Sequence, residues 1–311
     1  MFERRVARRY DRGTVTNLKG VRRKYARKLR RKAHLNSRLL VRAFAEVPRE
    51  NFLGPGPWPI FRVRWSKSRR RLQWRLGQSL YITTRDSNPR WLYDDVLVGI
   101  IPERMLNNGM PSGLARWFDA LELKRGDHVM HVGCGTGYYS AILANIVGPA
   151  GRVTALEIDK DLAERARDNL AMLRNVQALS ADGTTHDPGK VDAIFINAGA
   201  TRPCPIWLDR LKPGGRLIFP LVMLPRHNFI GPQGIMIKVT RRDDRYDASF
   251  VSIVGIFPCI GATDSGDNEL VVAAFTRGGY DKIRTLRRDE HEPSASCWLH
   301  GRDFCLSTAP E

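Results

Sequence analysis

A chain of 311 residues with 51 Lys and Arg against 32 Asp and Glu carries a net charge of +19, and its hydrophobic fraction of 42% is enough for one large domain or one core with appendages. Five cysteines without C-x-x-C spacing support neither a disulfide framework nor a zinc site, and they fit a reducing cytoplasm. No secretory h-region is evident, and the longest apolar stretch, near 251–262, falls well short of the ~20 residues a membrane helix needs.

The positive charge is concentrated at one end. Residues 1–42 hold sixteen Lys or Arg and two acids, a charge of +14; residues 43–75 add +6, and the remaining 236 residues sum to −1. A basic arm over 1–20, with Arg4, Arg5, Arg8, Arg9 and Arg12, precedes a predicted helix over 21–32. There Val21, Tyr25 and Leu29 recur every four residues and the other faces are basic. Such a surface either holds a nucleic acid, an anionic membrane or an acidic partner by counterion release and steering, or is a solvated, partly disordered tail. A second run, 62–75, interleaves Trp65 and Trp74 with cations. It is either a stacking and phosphate-binding surface or a loop whose tryptophans fold onto the core. Asp94 and Asp95 either face a substrate or serve a helix amino terminus.

At residues 129–138, V-M-H-V-G-C-G-T-G-Y, an apolar strand breaks into alternating glycines and resumes as a helix-like pattern. Gly133, Gly135 and Gly137 permit a sharp turn and let a ligand approach the backbone closely. A dinucleotide fingerprint would want glycine at 138, where the chain has Tyr138. Twenty residues past Gly137, the segment 152–157 reads as a second strand ending in Glu157, a carboxylate placed to accept from both hydroxyls of a ribose. Asp159 competes for that role or caps the helix beginning near Asp161.

Helical spacing over 138–147 and 160–173 alternates with short apolar runs at 191–197 and 215–221. The alternation predicts an α/β fold with a doubly wound, mostly parallel sheet whose ligands lie beyond the carboxyl ends of the strands. Asp182, in Ala181-Asp182-Gly183 after the third strand, can reach an adenine amine. Residues 235–239 and 250–254 read as paired strands that complete the sheet. In the tail, 270–275 fits helix or strand, while 297–299 and 304–306 flank a turn and predict a hairpin that covers a cleft or caps the core.

The glycine turn, Glu157, Ala181-Asp182-Gly183 and the run L-K-P-G-G-R-L-I at 211–218 resemble class I S-adenosylmethionine-dependent methyltransferases. The heptapeptide E-V-P-R-E-N-F at 46–52, about eighty residues before the turn, resembles the amino-terminal signature of the protein-L-isoaspartate O-methyltransferases, a likeness that spans roughly residues 20–262. The resemblance implies a Rossmann-like, seven-stranded sheet and S-adenosylmethionine held by Gly133, Gly135, Gly137, Glu157, Asp182, Gly183 and Asn197. It also implies methyl transfer to a carboxylate of a protein or peptide, with no metal. The chain then divides into a basic arm (1–20), a helical and loop subdomain (21–110), the cofactor-binding domain (111–262) and a carboxyl-terminal appendage (263–311).

Three departures from the family pattern stand out. The acceptor loop, G-x-T-x-S in the family, reads N-N-G-M-P-S at 107–112, so Ser112 matches the family serine only across a one-residue deletion; Ser112 and Asn108 are the expected positioners of the acceptor. His131 stands where the family places an acid, and Asn197-Ala198-Gly199-Ala200 replaces the usual glycine-alanine run. Two rival readings use the same fold. One is an RNA methyltransferase exploiting the basic region, although 197–200 lack the Asn/Asp-Pro-Pro-aromatic run of enzymes that methylate base amines. The other is a non-catalytic binding module.

Overall fold

The structure, a computed structural model, describes residues 17–61, 81–224 and 234–310. Most of the basic arm and all of the run 62–75 lie outside the described residues.

Asn17 starts helix α1 (Leu18–Ala33) by accepting from the Gly20 N–H at 2.9 Å, and Arg30, Arg31 and Lys32 occupy the last turn, where cations oppose the helix dipole. Tyr25, Ala26, Leu29 and Ala33 form its buried stripe. Helix α2 (Arg38–Glu46), capped by Ser37, packs against α1 and delivers the chain into the heptapeptide. Two short antiparallel ribbons follow: β1 (Pro59–Phe61) with β2 (Tyr81–Thr83), and β3 (Gly99–Ile101) with β4 (Leu106–Asn107). Helix α3 (Pro111–Ala120) leads into the sheet.

The parallel half alternates strand and helix: β5 (His128–Val132), α4 (Tyr138–Val147), β6 (Arg152–Glu157), α5 (Lys160–Leu170), β7 (Val176–Ser180), β8 (Val191–Ile196), α6 (Pro205–Asp209) and β9 (Leu211–Val222). The antiparallel half consists of β10 (Gly234–Arg242), β11 (Arg245–Val254), helix α7 (Ser265–Arg277), β12 (Thr285–Arg287), β13 (Cys297–His300) and β14 (Cys305–Ser307). One sheet runs β13-β14-β12-β11-β10-β9-β8-β5-β6-β7. The seven expected strands are β5 to β11, and three more come from the tail. β12 pairs through Leu286 with Tyr246, so the edge that β11 would otherwise expose is continued. Helix α7 resolves 270–275 as helix.

Both faces of the sheet are covered. Val129 and Phe195 pack with Tyr25, Leu29, Phe44, Phe118 and Ile142 on one side; Met130, Val132 and Ile194 pack with Trp207, Val271 and Leu306 on the other. The alternation within β5 and β8 is that of strands buried on both faces. Where the strand order changes direction, around β5, the carboxyl ends of β5, β6 and β8 open into the region where ligands of such sheets bind. Among the described residues, no helix is long and apolar enough to cross a membrane.

Candidate functional site

The glycine turn carries the chain from β5 into α4. Gly135 and Gly137 have φ of 55° and 93°, in the left-handed region that a side chain disfavours, and a Cβ on Gly137 would stand 2.8 Å from Leu170 Cδ1 of α5. Glu157, the last residue of β6, is buried against this turn. Its Oε2 accepts from the Gly135 N–H at 2.8 Å, and its Oε1 accepts from the N–H groups of Ile158 and Asp159 at 2.9 and 3.1 Å. A carboxylate offers about four lone-pair positions, so these three bonds leave roughly one for a ligand hydroxyl without rearrangement.

Asn197, at the end of β8, donates Nδ2–H to the Gly133 carbonyl at 3.2 Å and its backbone N–H to the Val132 carbonyl at 2.8 Å. Gly183 lies so close to β5 that a Cβ would meet Val132 Cγ1 at 2.3 Å, and its carbonyl accepts from Trp207 Nε1 at 2.7 Å. Asp182 Oδ1 accepts from the N–H and hydroxyl of Thr184 at 2.8 and 2.7 Å. Cys259 stands beside both carboxylates: burial, then Asp182 and Glu157, push its thiol up to about 12. The turn glycines, Glu157, Asp182, Gly183 and Asn197 thus share one rim at the carboxyl ends of the strands.

Asp159 belongs to the scaffold. Its Oδ1 accepts from the Leu162 N–H at 3.2 Å to cap α5, and its Oδ2 accepts from Arg104 at 2.7 Å, which holds the carboxyl below its ordinary range. His131 is buried between Phe118 and Phe195 with Nδ1 2.8 Å from Ser140 Oγ, and burial pushes it down to about 3. It is therefore a neutral imidazole at physiological pH and brings no charge where the family has an acid. Burial, reinforced by Glu157, pushes the Cys134 thiol up, so it is a packing residue.

The facing wall is organised by Arg49 of the heptapeptide, which is fully buried. Its guanidinium donates to Asn108 Oδ1 at 3.2 Å, the Leu92 carbonyl at 2.8 Å and the Val96 carbonyl at 3.0 Å, and it lies 5.8 Å from the centre of the Tyr138 ring. Tyr138 is the first residue of α4, so one side chain ties the acceptor loop to the glycine turn. The Asn108 oxygen is committed to this contact. Ser112, in the first turn of α3, donates its hydroxyl to Asp95 Oδ2 and its N–H to Asp95 Oδ1, each at 2.8 Å. Asp95 also pairs with Lys32 of α1, and Asp94 with Lys28. Ser112 and Asn108 thus have separate anchors and are not bonded to each other. Just before the acceptor loop, the ribbon of β3 and β4 leans over the glycine turn through the Arg104–Asp159 pair and through Ile100, whose Cδ1 is 3.9 Å from where a Gly135 Cβ would stand.

Two contributors escape sequence reasoning. Arg49 sits in the recognised heptapeptide, but a buried arginine looks like any surface arginine in a polarity pattern. The segment 257–262 closes the rim through Gly199, whose N–H donates to the Phe257 carbonyl and whose carbonyl accepts from the Cys259 N–H, both at 2.7 Å. The apolar run there was legible, its docking site was not.

Residues 91–244 match the family model described as Protein-L-isoaspartate(D-aspartate) O-methyltransferase. A protein-L-isoaspartate O-methyltransferase of Ignicoccus hospitalis is 38% identical over 137 residues, 41% of this chain and 65% of that one. The enzyme of the same name from Methanothrix thermoacetophila is 39% identical over 150 residues, 47% of this chain and 70% of that one. The chain spans about half the length of a third relative of that description, from Archaeoglobus fulgidus, at 38% identity over 36% of this chain and 52% of the relative. Two solved structures share the fold. One described as a protein-L-isoaspartate O-methyltransferase has a TM-score of 0.58 at 20% identity, covering 82% of this chain and 69% of that one. The other, a Plasmodium falciparum protein described likewise and in complex with S-adenosyl-L-homocysteine, has a TM-score of 0.54 at 18% identity, covering 76% and 97%.

Proposed function

The chain belongs to the protein-L-isoaspartate O-methyltransferase family, and from that premise we propose that it is an S-adenosylmethionine-dependent enzyme that methylates a carboxylate of a protein or peptide. The observation that carries this reading is the buried Glu157 carboxylate, held against the Gly135 N–H with one acceptor position left over, on a rim shared with Asp182 and Asn197. Gly133, Gly135, Gly137, Glu157, Asp182, Gly183 and Asn197 would hold the cofactor: the glycines by leaving the backbone open, Glu157 at the ribose, Asp182 at the adenine amine. S-adenosylmethionine supplies a methyl group already activated by the positive charge on its sulfur.

The protein's own task is alignment and exclusion of water. A carboxylate acceptor is ionised at neutral pH and needs no general base, which agrees with a neutral His131 and an Asp95 engaged by Ser112 and Lys32. Ser112 and Asn108 act as positioners through Asp95 and Arg49, which orient the wall. A cytoplasmic setting is part of this reading.

A second reading, RNA as acceptor, draws on a groove between α1 and α2 lined by Arg23, Arg27, Arg38 and Arg42. Calorimetric titration of S-adenosylmethionine and S-adenosylhomocysteine, with Glu157→Ala alongside and an isoaspartyl peptide assay, separates the possibilities. Binding lost in the variant, with base-labile methyl incorporation into peptide, is the expected result. Binding without incorporation, together with a salt-sensitive RNA complex, moves the acceptor to RNA. Absence of binding overturns the enzyme reading and leaves a scaffold.

A further inference from the structure

At the sheet edge opposite β7, where six strands separate β13 from β5, the tail gathers His291, Cys297, His300 and Cys305. One ligand atom from each lies within 4.8 Å of all the others. The spacing of the cysteines in the chain, without C-x-x-C, supports no zinc site, but the fold brings two of them together with two histidines, and we propose that these four residues bind a zinc ion that clips the carboxyl-terminal hairpin to the loop before it. The site is independent of the methyl-transfer reading and far from the glycine turn.

The arrangement depends on a bulge. Residues three apart on a regular strand point to opposite faces, so Cys297 and His300 would diverge. In β13 the register steps from Cys297↔Ser307 to Leu299↔Leu306 and His300↔Cys305, leaving Trp298 as the extra residue. One added residue resets the alternation and brings Cys297, His300 and Cys305 to one face of the hairpin. Leu299 and Leu306 are buried in the core. His291 arrives from the preceding loop, its Nε2 3.7 Å from Cys297 Sγ. In a tetrahedral site with Zn–S of about 2.3 Å and Zn–N of about 2.0 Å, a sulfur and a nitrogen ligand stand about 3.5 Å apart.

The surroundings fit a metal better than an apolar contact. His300 Nδ1 is buried and, among the described residues, has no hydrogen-bond partner. A buried ring nitrogen without a partner is costly, and a metal ion would satisfy it. The His291 Nδ1 lies 2.9 Å from the Asp289 carbonyl, and an Nδ1–H donated there leaves the Nε2 lone pair directed to the cluster. The Ser294 N–H donates to Cys297 Sγ at 3.3 Å, as backbone amides do to ligating thiolates. Two thiolates and two imidazoles are a donor set that favours tetrahedral zinc, and four protein ligands close the site, which marks it as structural.

The test is metal analysis of the tag-free full-length chain produced in zinc-supplemented medium, followed by cobalt(II) titration after removal of metal. The expected result is about one zinc per chain, at least about a fivefold loss in Cys297→Ser and in His291→Ala, and a cobalt spectrum with thiolate charge transfer and strong visible bands. The native-chain cobalt spectrum decides the matter even if a variant fails to fold. A metal-free chain with only the weak spectrum of octahedral cobalt overturns the proposal, as does a Cys297–Cys305 disulfide found by mass spectrometry after anaerobic purification.

Discussion

Around the glycine turn, nearly every polar contact ends on backbone: Glu157 takes three N–H groups, Asn197 donates to the Gly133 carbonyl, and Trp207 to the Gly183 carbonyl. In the wall over 46–112, side chains carry the structure. Arg49 gathers acceptors 43 to 59 residues away, and Asp95 joins Ser112 of α3 to Lys32 of α1. Backbone groups are present whatever the sequence, so a turn of this kind needs glycines at the right spacing and one acid. A wall of side-chain contacts needs particular pairs, and it can change its acceptor while the turn stays as it is.

The largest expected effect breaks the wall. Arg49→Met leaves the Leu92 and Val96 carbonyls and the Asn108 oxygen without their donor, and with about 1–3 kcal/mol for each buried group the loss in urea unfolding is at least about 3 kcal/mol. Arg49→Lys recovers only part of it, because an ammonium does not reproduce the planar fork. An unchanged midpoint would remove Arg49 from its central place.

His131 sharpens the comparison from beneath the turn. Its folded pKa, about 3, lies below the unfolded value of about 6.5. Between the two, the unfolded chain binds the extra proton, so stability is complete above about pH 6.5 and falls by about 1.4 kcal/mol per pH unit toward 3. Denaturation of His131→Gln against the parent from pH 7 to 4 should show a shallower slope in the variant; parallel curves would mean the imidazole is hydrated.

Gly135→Ala tests the turn itself. The left-handed φ costs about 1–2 kcal/mol, but the nearest side-chain atom to the new Cβ is 3.9 Å away, so the fold survives. S-adenosylhomocysteine affinity should drop by at least about tenfold, since the methyl group would fill the space a ligand needs. Undiminished affinity would place the ligand elsewhere.

Ser112→Ala is the mildest change in stability, about 1 kcal/mol, because the backbone N–H to Asp95 persists. Its expected signature is kinetic: a drop of about tenfold in kcat/KM for the peptide with cofactor affinity intact. Loss of cofactor affinity would move Ser112 out of the acceptor wall.

The legible part of the molecule follows these lines. Strands β5 to β9 and helices α4 and α5 were readable because their burial pattern is local, and the rim residues were readable because they sit at strand ends; the five-residue α6 was not. Arg49 was not, since a charged residue enters a core only when distant acceptors converge on it. The hairpin of β13 and β14 was readable as a hairpin, but its joining to the main sheet was hidden, because the link is β12, three residues that are a strand only by pairing with β11 and β14.

The sequence by itself determined the doubly wound sheet, the glycine turn and the strand-end carboxylate, since each depends on the spacing of near neighbours. Only the tertiary structure decided what holds the facing wall and what meets at the far edge. The partners of Arg49 and the cluster of His291, Cys297, His300 and Cys305 depend on loop closure and on one bulge, neither of which leaves a periodic trace in the chain.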